Sequence, residues 1–155
     1  MRKACRDLCC WLPVAVAIST YACISHAASA TCSVTSSSGI NFGSYDPLSG
    51  TPVSGAATVQ VACDKNATVT LSIDGQSGLG PRQMTGATDV LSYQLYTDAA
   101  MRTIWGDGTG GTQTVTLTLQ GSPRFGLFTI YGQVPGGQDV SVGTYNATLI
   151  MTLSF

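Results

Sequence analysis

The chain has 155 residues, 44% of them hydrophobic and 10% charged, with a formal net charge of −1 and one histidine, His26. That balance, with no basic run beyond the first residues, argues against nucleic acid or an anionic membrane as a partner. Eighteen glycines, abundant Thr, Ser and Val, and no glutamate point away from helices.

Residues 1–27 read as a signal peptide. Arg2, Lys3 and Arg6 make a basic start, Leu8 to Ile24 is mostly apolar, and Ser25-His26-Ala27 offers small residues for cleavage, with Ala28-Ser29-Ala30 as the later option. Pro13, Ser19 and Thr20 interrupt the apolar run, so it makes a poor membrane span. Without the leader, four basic and seven acidic residues remain, a net charge of about −3. Only Cys32 and Cys63 are left of the six cysteines. In an exported chain such a pair most simply forms one disulfide, the alternative being two buried free thiols.

Residues 28–155 have the length of a single domain with its own core. Short alternating runs follow one another along it. Cys32 to Thr35 and Ile40 to Phe42 come first, then a turn-rich loop, Gly43 to Gly50. Val59, Val61 and Cys63 alternate with polar or small residues, as do Val69, Leu71 and Ile73. A glycine-rich loop, Asp74 to Arg82, precedes Leu91, Tyr93 and Leu95. Val115, Leu117 and Leu119 follow, then Phe128 and Ile130 before the loop Val134 to Gln138. The last run is the longest. Tyr145, Ala147, Leu149, Met151, Leu153 and Phe155 occupy every second position of Thr144–Phe155, a strand with one face in a core. About seven short strands separated by turn signals, with no capped 3.6-residue stripe, predict an all-β sandwich.

Nothing in the mature chain assembles a catalytic site. His26 leaves with the leader, which removes the usual general base and the Ser–His–Asp and Cys–His arrangements. The aspartates stand in turn contexts such as Tyr45-Asp46-Pro47 and Gly106-Asp107-Gly108, where Asp bonds its own backbone. Gly106 to Gly111 matches G-x-G-x-x-G, but Thr112 to Leu119 alternates like a strand, and the dinucleotide mechanism needs a helix there. We read it as a flexible hairpin loop. Neither an enzyme, a cofactor nor a metal is expected. Trp105, Tyr96 and Tyr131 are the aromatic side chains available to a sugar-binding site.

Several segments together resemble the spore coat protein U domain family, the subunit module of archaic chaperone–usher pili. They are FGSYDP (Phe42 to Pro47), YQLYTDAAMRTIWGDGTGG (Tyr93 to Gly111), IYGQVPGGQ (Ile130 to Gln138) and the terminal GTYNATLIMTLSF (Gly143 to Phe155). Cys32 and Cys63 fall where that family places its disulfide.

The resemblance implies an immunoglobulin-like β-sandwich lacking its last strand. A periplasmic pilus chaperone first supplies the missing strand, and an outer-membrane usher exchanges it for one donated by another pilin subunit. Tyr145, Ala147, Leu149, Met151, Leu153 and Phe155 would then meet the partner strand, and the protein would pass through the periplasm to a surface fimbrium used in adhesion or biofilm. One departure bears on its place there. Family pilins carry a donor segment ahead of the first cysteine, whereas Ala28 to Thr31 precede Cys32 if cleavage follows Ala27. That implies a tip position. The alternatives are a secreted spore-coat or matrix protein of the same fold and a sugar-binding tip lectin.

Overall fold

A computed structural model describes residues 29–75 and 78–155. The expected leader, residues 1–27, lies outside them. Eight strands occur among the described residues: β1 (Cys32–Ser37), β2 (Val53–Cys63), β3 (Ala67–Ile73), β4 (Arg82–Thr85), β5 (Val90–Tyr96), β6 (Val115–Leu119), β7 (Phe125–Val134) and β8 (Met151–Ser154). They form a five-stranded sheet ordered β1-β2-β7-β5-β4 and a three-stranded sheet ordered β6-β3-β8. All these pairings are antiparallel. The molecule is the all-β sandwich that the alternating pattern predicts, in the immunoglobulin-like form that the family resemblance implies.

Period-two alternation explains the layering. Val59 and Val61 of β2, Val69, Leu71 and Ile73 of β3, and Phe128, Ile130 and Val134 of β7 point inward and are at most 2% exposed. The polar residues between them face outward. Trp105 is fully buried between the sheets, its ring tilted against Phe128 at 6.4 Å, and its Nε1–H donates to the Leu71 carbonyl at 3.1 Å. That bond removes the cost of burying the indole N–H. The ladder from Val53↔Val134 to Ala62↔Phe125 makes β2 and β7 the backbone of the larger sheet.

Cys32 and Cys63 are register partners at the end of β1–β2 and form the disulfide. It joins the first strand to the one after the Gly43–Gly50 loop.

The course of the strands differs from the sequence reading in three places. Ile40–Phe42 joins no ladder. It lies across the larger sheet, over glycines in β2 and β7, where an added Cβ at Gly55 would come within 2.6 Å of the Asn41 carbonyl and one at Gly132 within 2.8 Å of the Phe42 ring. The expected Asp74–Arg82 loop ends in an unforeseen strand, β4, four residues long and too short to show a period. Finally, Thr144–Phe155 is not one continuous strand. Asn146 bridges Thr85 at the β4 edge of the larger sheet, while Met151–Ser154 pairs with β3 in the smaller one. Packed sheets lie ~10 Å apart, so the residues between must cross from one layer to the other and belong to neither ladder.

Candidate functional site

The crossing leaves an opening between the layers. One wall is the Gly39–Phe42 segment that follows β1, and the other is Tyr145–Met151. The floor is the inward face of the larger sheet, formed by Ala57, Met84, Tyr93 and Ile130. This part of the groove has a volume of ≈ 320 Å³. It continues through Gly39, Ile40, Phe42, Met84, Tyr145 and Asn146 into a second part of ≈ 690 Å³ that reaches Pro47 and Val140. Phe42 stands edge-on to Tyr93, centroids 5.9 Å apart, and this contact holds the first wall on the floor. The low-dielectric floor pushes the Tyr93 phenol above its ordinary pKa.

Of the terminal residues singled out from the sequence, Tyr145, Ala147, Leu149 and Met151 lie along the other wall, whereas Leu153 and Phe155 lie beyond it. Tyr145, Leu149, Met151 and Leu153 are half-buried against the core, whereas Ala147 and Phe155 are exposed, Phe155 at 59%. Ile150, on the opposite face, is 65% exposed. The burial foreseen for this segment is therefore kept at Tyr145, Leu149, Met151 and Leu153 and lost at Ala147, within the break in the ladder, and at the terminal Phe155. Among the described residues β8 pairs with β3 only, so its outer edge carries no ladder. An apolar groove beside an unpaired strand edge can take an extended chain, which would bond its backbone to β8 and place alternate side chains on the floor.

Hydrogen bonds anchor both ends of the wall. The Tyr145 ring lies against Gly86, its hydroxyl donates to the Ser141 carbonyl at 2.7 Å, and Asp89 accepts the Ser141 N–H at 2.8 Å. The bonds from Ser141 hold the Asp89 carboxyl below its usual range. At the other end Thr152 Oγ1 donates to Asp74 Oδ2 at 2.7 Å, and Asp74 N–H donates to the Ile150 carbonyl at 2.9 Å.

One residue of this region escaped the sequence reading. Arg82 of β4 is 8% exposed, and its guanidinium donates to the carbonyls of Asp74 (3.0 Å), Ile73 (3.3 Å) and Trp105 (3.4 Å). It thereby ties the edge of the larger sheet to the end of β3, next to the Ile73↔Met151 pair. Its Nε is buried without a hydrogen-bond partner, and burial lowers its pKa. The only signal in the sequence was an arginine directly after Pro81.

The other candidates resolve differently. The Gly106–Gly111 loop is a clasp rather than a flexible hairpin loop. Asp107 Oδ1 accepts from Thr109 N–H at 2.8 Å and Thr109 Oγ1 at 2.7 Å, while buried Thr112 donates to the Thr109 carbonyl at 2.8 Å. It leads into β6, not a helix. Tyr96 and Tyr131 are register partners of β5 and β7, but Trp105 is fully buried, so the three rings form no common platform. Among the described residues no group of three His, Cys, Asp or Glu side chains converges on a metal-sized site.

Comparison with known proteins places the chain among relatives. The family model described as "Spore Coat Protein U domain" matches residues 18–152, beginning inside the expected leader. Protein U of Myxococcus xanthus is 36% identical over 149 residues, covering 80% of this chain and 77% of that protein. The crystal structure of the CsuC–CsuE chaperone–tip adhesion subunit pre-assembly complex, from archaic chaperone–usher Csu pili of Acinetobacter baumannii, has a similar fold. The TM-score is 0.55 at 20% identity, over 81% of this chain and 40% of that one. The chain thus spans two fifths of the length of the solved chain it resembles.

Proposed function

Because the chain belongs to the Spore Coat Protein U domain family, we propose that it is a structural subunit of a surface pilus assembled by a chaperone–usher pathway. The observation that carries the reading is the groove beside the open edge of β8, walled by half-buried Tyr145, Leu149 and Met151. A periplasmic chaperone would fill it first and a strand donated by another subunit afterwards. The likeness in fold to a tip adhesion subunit held by its chaperone supports this reading. The protein would travel through the periplasm to the cell surface and act in adhesion or biofilm, and its role is structural rather than catalytic.

The test is co-expression of the exported chain with a pilus chaperone. A one-to-one complex, whose β8 amides are protected from exchange relative to the free chain, is the expected result. A free chain that stays monomeric and captures neither chaperone nor donor peptide overturns it. The tip position expected from Ala28–Thr31 belongs to the same proposal. Mixed with a donor-bearing pilin, the protein should cap growing chains, whereas long homopolymers of this chain alone would refute the tip assignment.

The relationship to Protein U supports a second reading, a coat or matrix protein of the same fold. Localisation to a coat layer without fibres separates the two.

A further inference from the structure

A slot of ≈ 560 Å³ opens between β4 and the terminal segment, on the side of Arg82, Gln83 and Thr148. Its closed end is the Thr85–Asn146 bridge, where Thr85 N–H donates to the Asn146 carbonyl at 2.8 Å and Asn146 N–H returns a bond at 3.1 Å. Continued antiparallel from that pair, the register sets Met84 opposite Ala147, Gln83 opposite Thr148 and Arg82 opposite Leu149. The faces match along this unformed ladder. Arg82 and Met84 are buried and Leu149 is half-buried, and Ala147, although exposed, lines the groove on the same side as Leu149, while Gln83 and Thr148 are exposed and lie off that groove.

The backbone is poised as well. Strand periodicity puts the Gln83 N–H and C=O on the same edge as those of Thr85, facing the slot. Its β5 partner Ser92 turns its own N–H and C=O the other way, to the Gln138 side chain at 2.8 and 2.9 Å. The ladder that would close this fork competes with the one that is formed. If residues 147–149 followed β4, the two steps from Leu149 to Met151 would have to span the ~10 Å between sheets, and at ~3.3 Å per residue they advance the chain only about 6.6 Å. Met151 would then lose Ile73, and Ile150 would lose Asp74.

We propose that the terminal segment is a two-state element: pairing of Ala147–Leu149 with β4 and pairing of β8 with β3 exclude one another, so a strand bound along β8 holds the fork open. The inference rests on the acceptor reading above. It makes the availability of the β8 edge adjustable from within the domain, because the closed fork withdraws the start of that edge.

The test traps the closed fork by oxidising a Met84→Cys/Ala147→Cys variant of the full chain, with Met84→Ser/Ala147→Ser as control. Peptide mapping should find the new cross-link alongside Cys32–Cys63, with β8 amides exchanging at least about tenfold faster than in the control. Failure to cross-link, or unchanged β8 protection in the cross-linked chain, overturns the inference. A labelled peptide of alternating apolar residues separates this from the acceptor reading. It should bind the control and bind the cross-linked chain at least about tenfold more weakly. Equal binding to both overturns the coupling. Binding to neither, with the exchange change present, leaves the two-state element standing and removes the acceptor reading.

Discussion

Arg82 is the one buried charged side chain among the described residues, and its bonds go to carbonyls rather than a carboxylate. A buried cation is costly, but so is taking this donor from the buried Ile73 and Trp105 carbonyls and the part-buried Asp74 carbonyl. We expect the second effect to dominate in Arg82→Met. It should lower unfolding free energy by about 2 kcal/mol, read from the urea midpoint, and an unchanged or raised midpoint would show the guanidinium dispensable. Three aspartates held by hydrogen bonds make stability depend on pH. Asp107 is held below the usual carboxylate range by the Thr109 hydroxyl and N–H, Asp98 by the Thr103 N–H, and Asp89 by Ser141. A depressed folded pKa contributes stability above the unfolded pKa and loses it as pH falls through the folded one. Melting temperature should therefore be flat from neutral pH to about pH 5 and fall below about pH 4. A combined Asp89→Asn/Asp98→Asn/Asp107→Asn variant should show a shallower acid decline. An equally steep one assigns acid sensitivity to other groups.

The Ile40–Phe42 wall depends on two glycines beneath it. Gly132→Ala would set a Cβ 2.8 Å from the Phe42 ring and displace it, at a cost of about 1–3 kcal/mol. Gly39→Ala meets nothing within 4 Å and should leave stability near wild type. Thermal melts of the pair check this, and equal melting points would mean the wall is not seated on β7. The same elements show what a sequence can disclose. β2, β3, β5, β6 and β7 were legible because each buries one face, which writes period two into Val59–Val61, Val69–Leu71–Ile73 or Phe128–Ile130. The disulfide and the half-buried terminal face were legible for related reasons: two cysteines left once the expected leader is set aside, and an alternation that persists at Tyr145, Leu149, Met151 and Leu153 across a change of sheet. β4 was hidden by its length. Ile40–Phe42 has strand-like alternation without strand pairing, because side-chain packing over Gly55 and Gly132 sets its path. The break at Ala147–Ile150 was invisible, since periodicity records which face is buried and not which neighbour supplies the hydrogen bonds.

For the whole molecule the question is how far this sandwich is finished by its own chain. Half-buried Tyr145, Leu149, Met151 and Leu153, with exposed Phe155, leave apolar surface beside an unpaired edge. Such surfaces drive association, so the domain of residues 28–155 alone should self-associate at moderate concentration, visible as growing light scattering. A donor strand fused after Phe155 through a flexible linker tests the cause directly. Completing the burial of the four half-buried side chains is worth at most ~1.5–3 kcal/mol each, and part of it is already realised. Ordering the donor costs ~1–2 kcal/mol per residue, offset by its new backbone bonds and by its own apolar side chains on the Ala57–Met84–Tyr93–Ile130 floor. The surplus should be a few kcal/mol, which for a domain of this size raises the melting temperature by roughly 5–15 °C. The fused strand should also abolish the concentration-dependent scattering. A donor with polar residues at the floor-facing positions should do neither. If the apolar fusion shifts nothing and the unfused domain is already a stable monomer, the groove is closed by its own walls and the strand-acceptor reading falls with it.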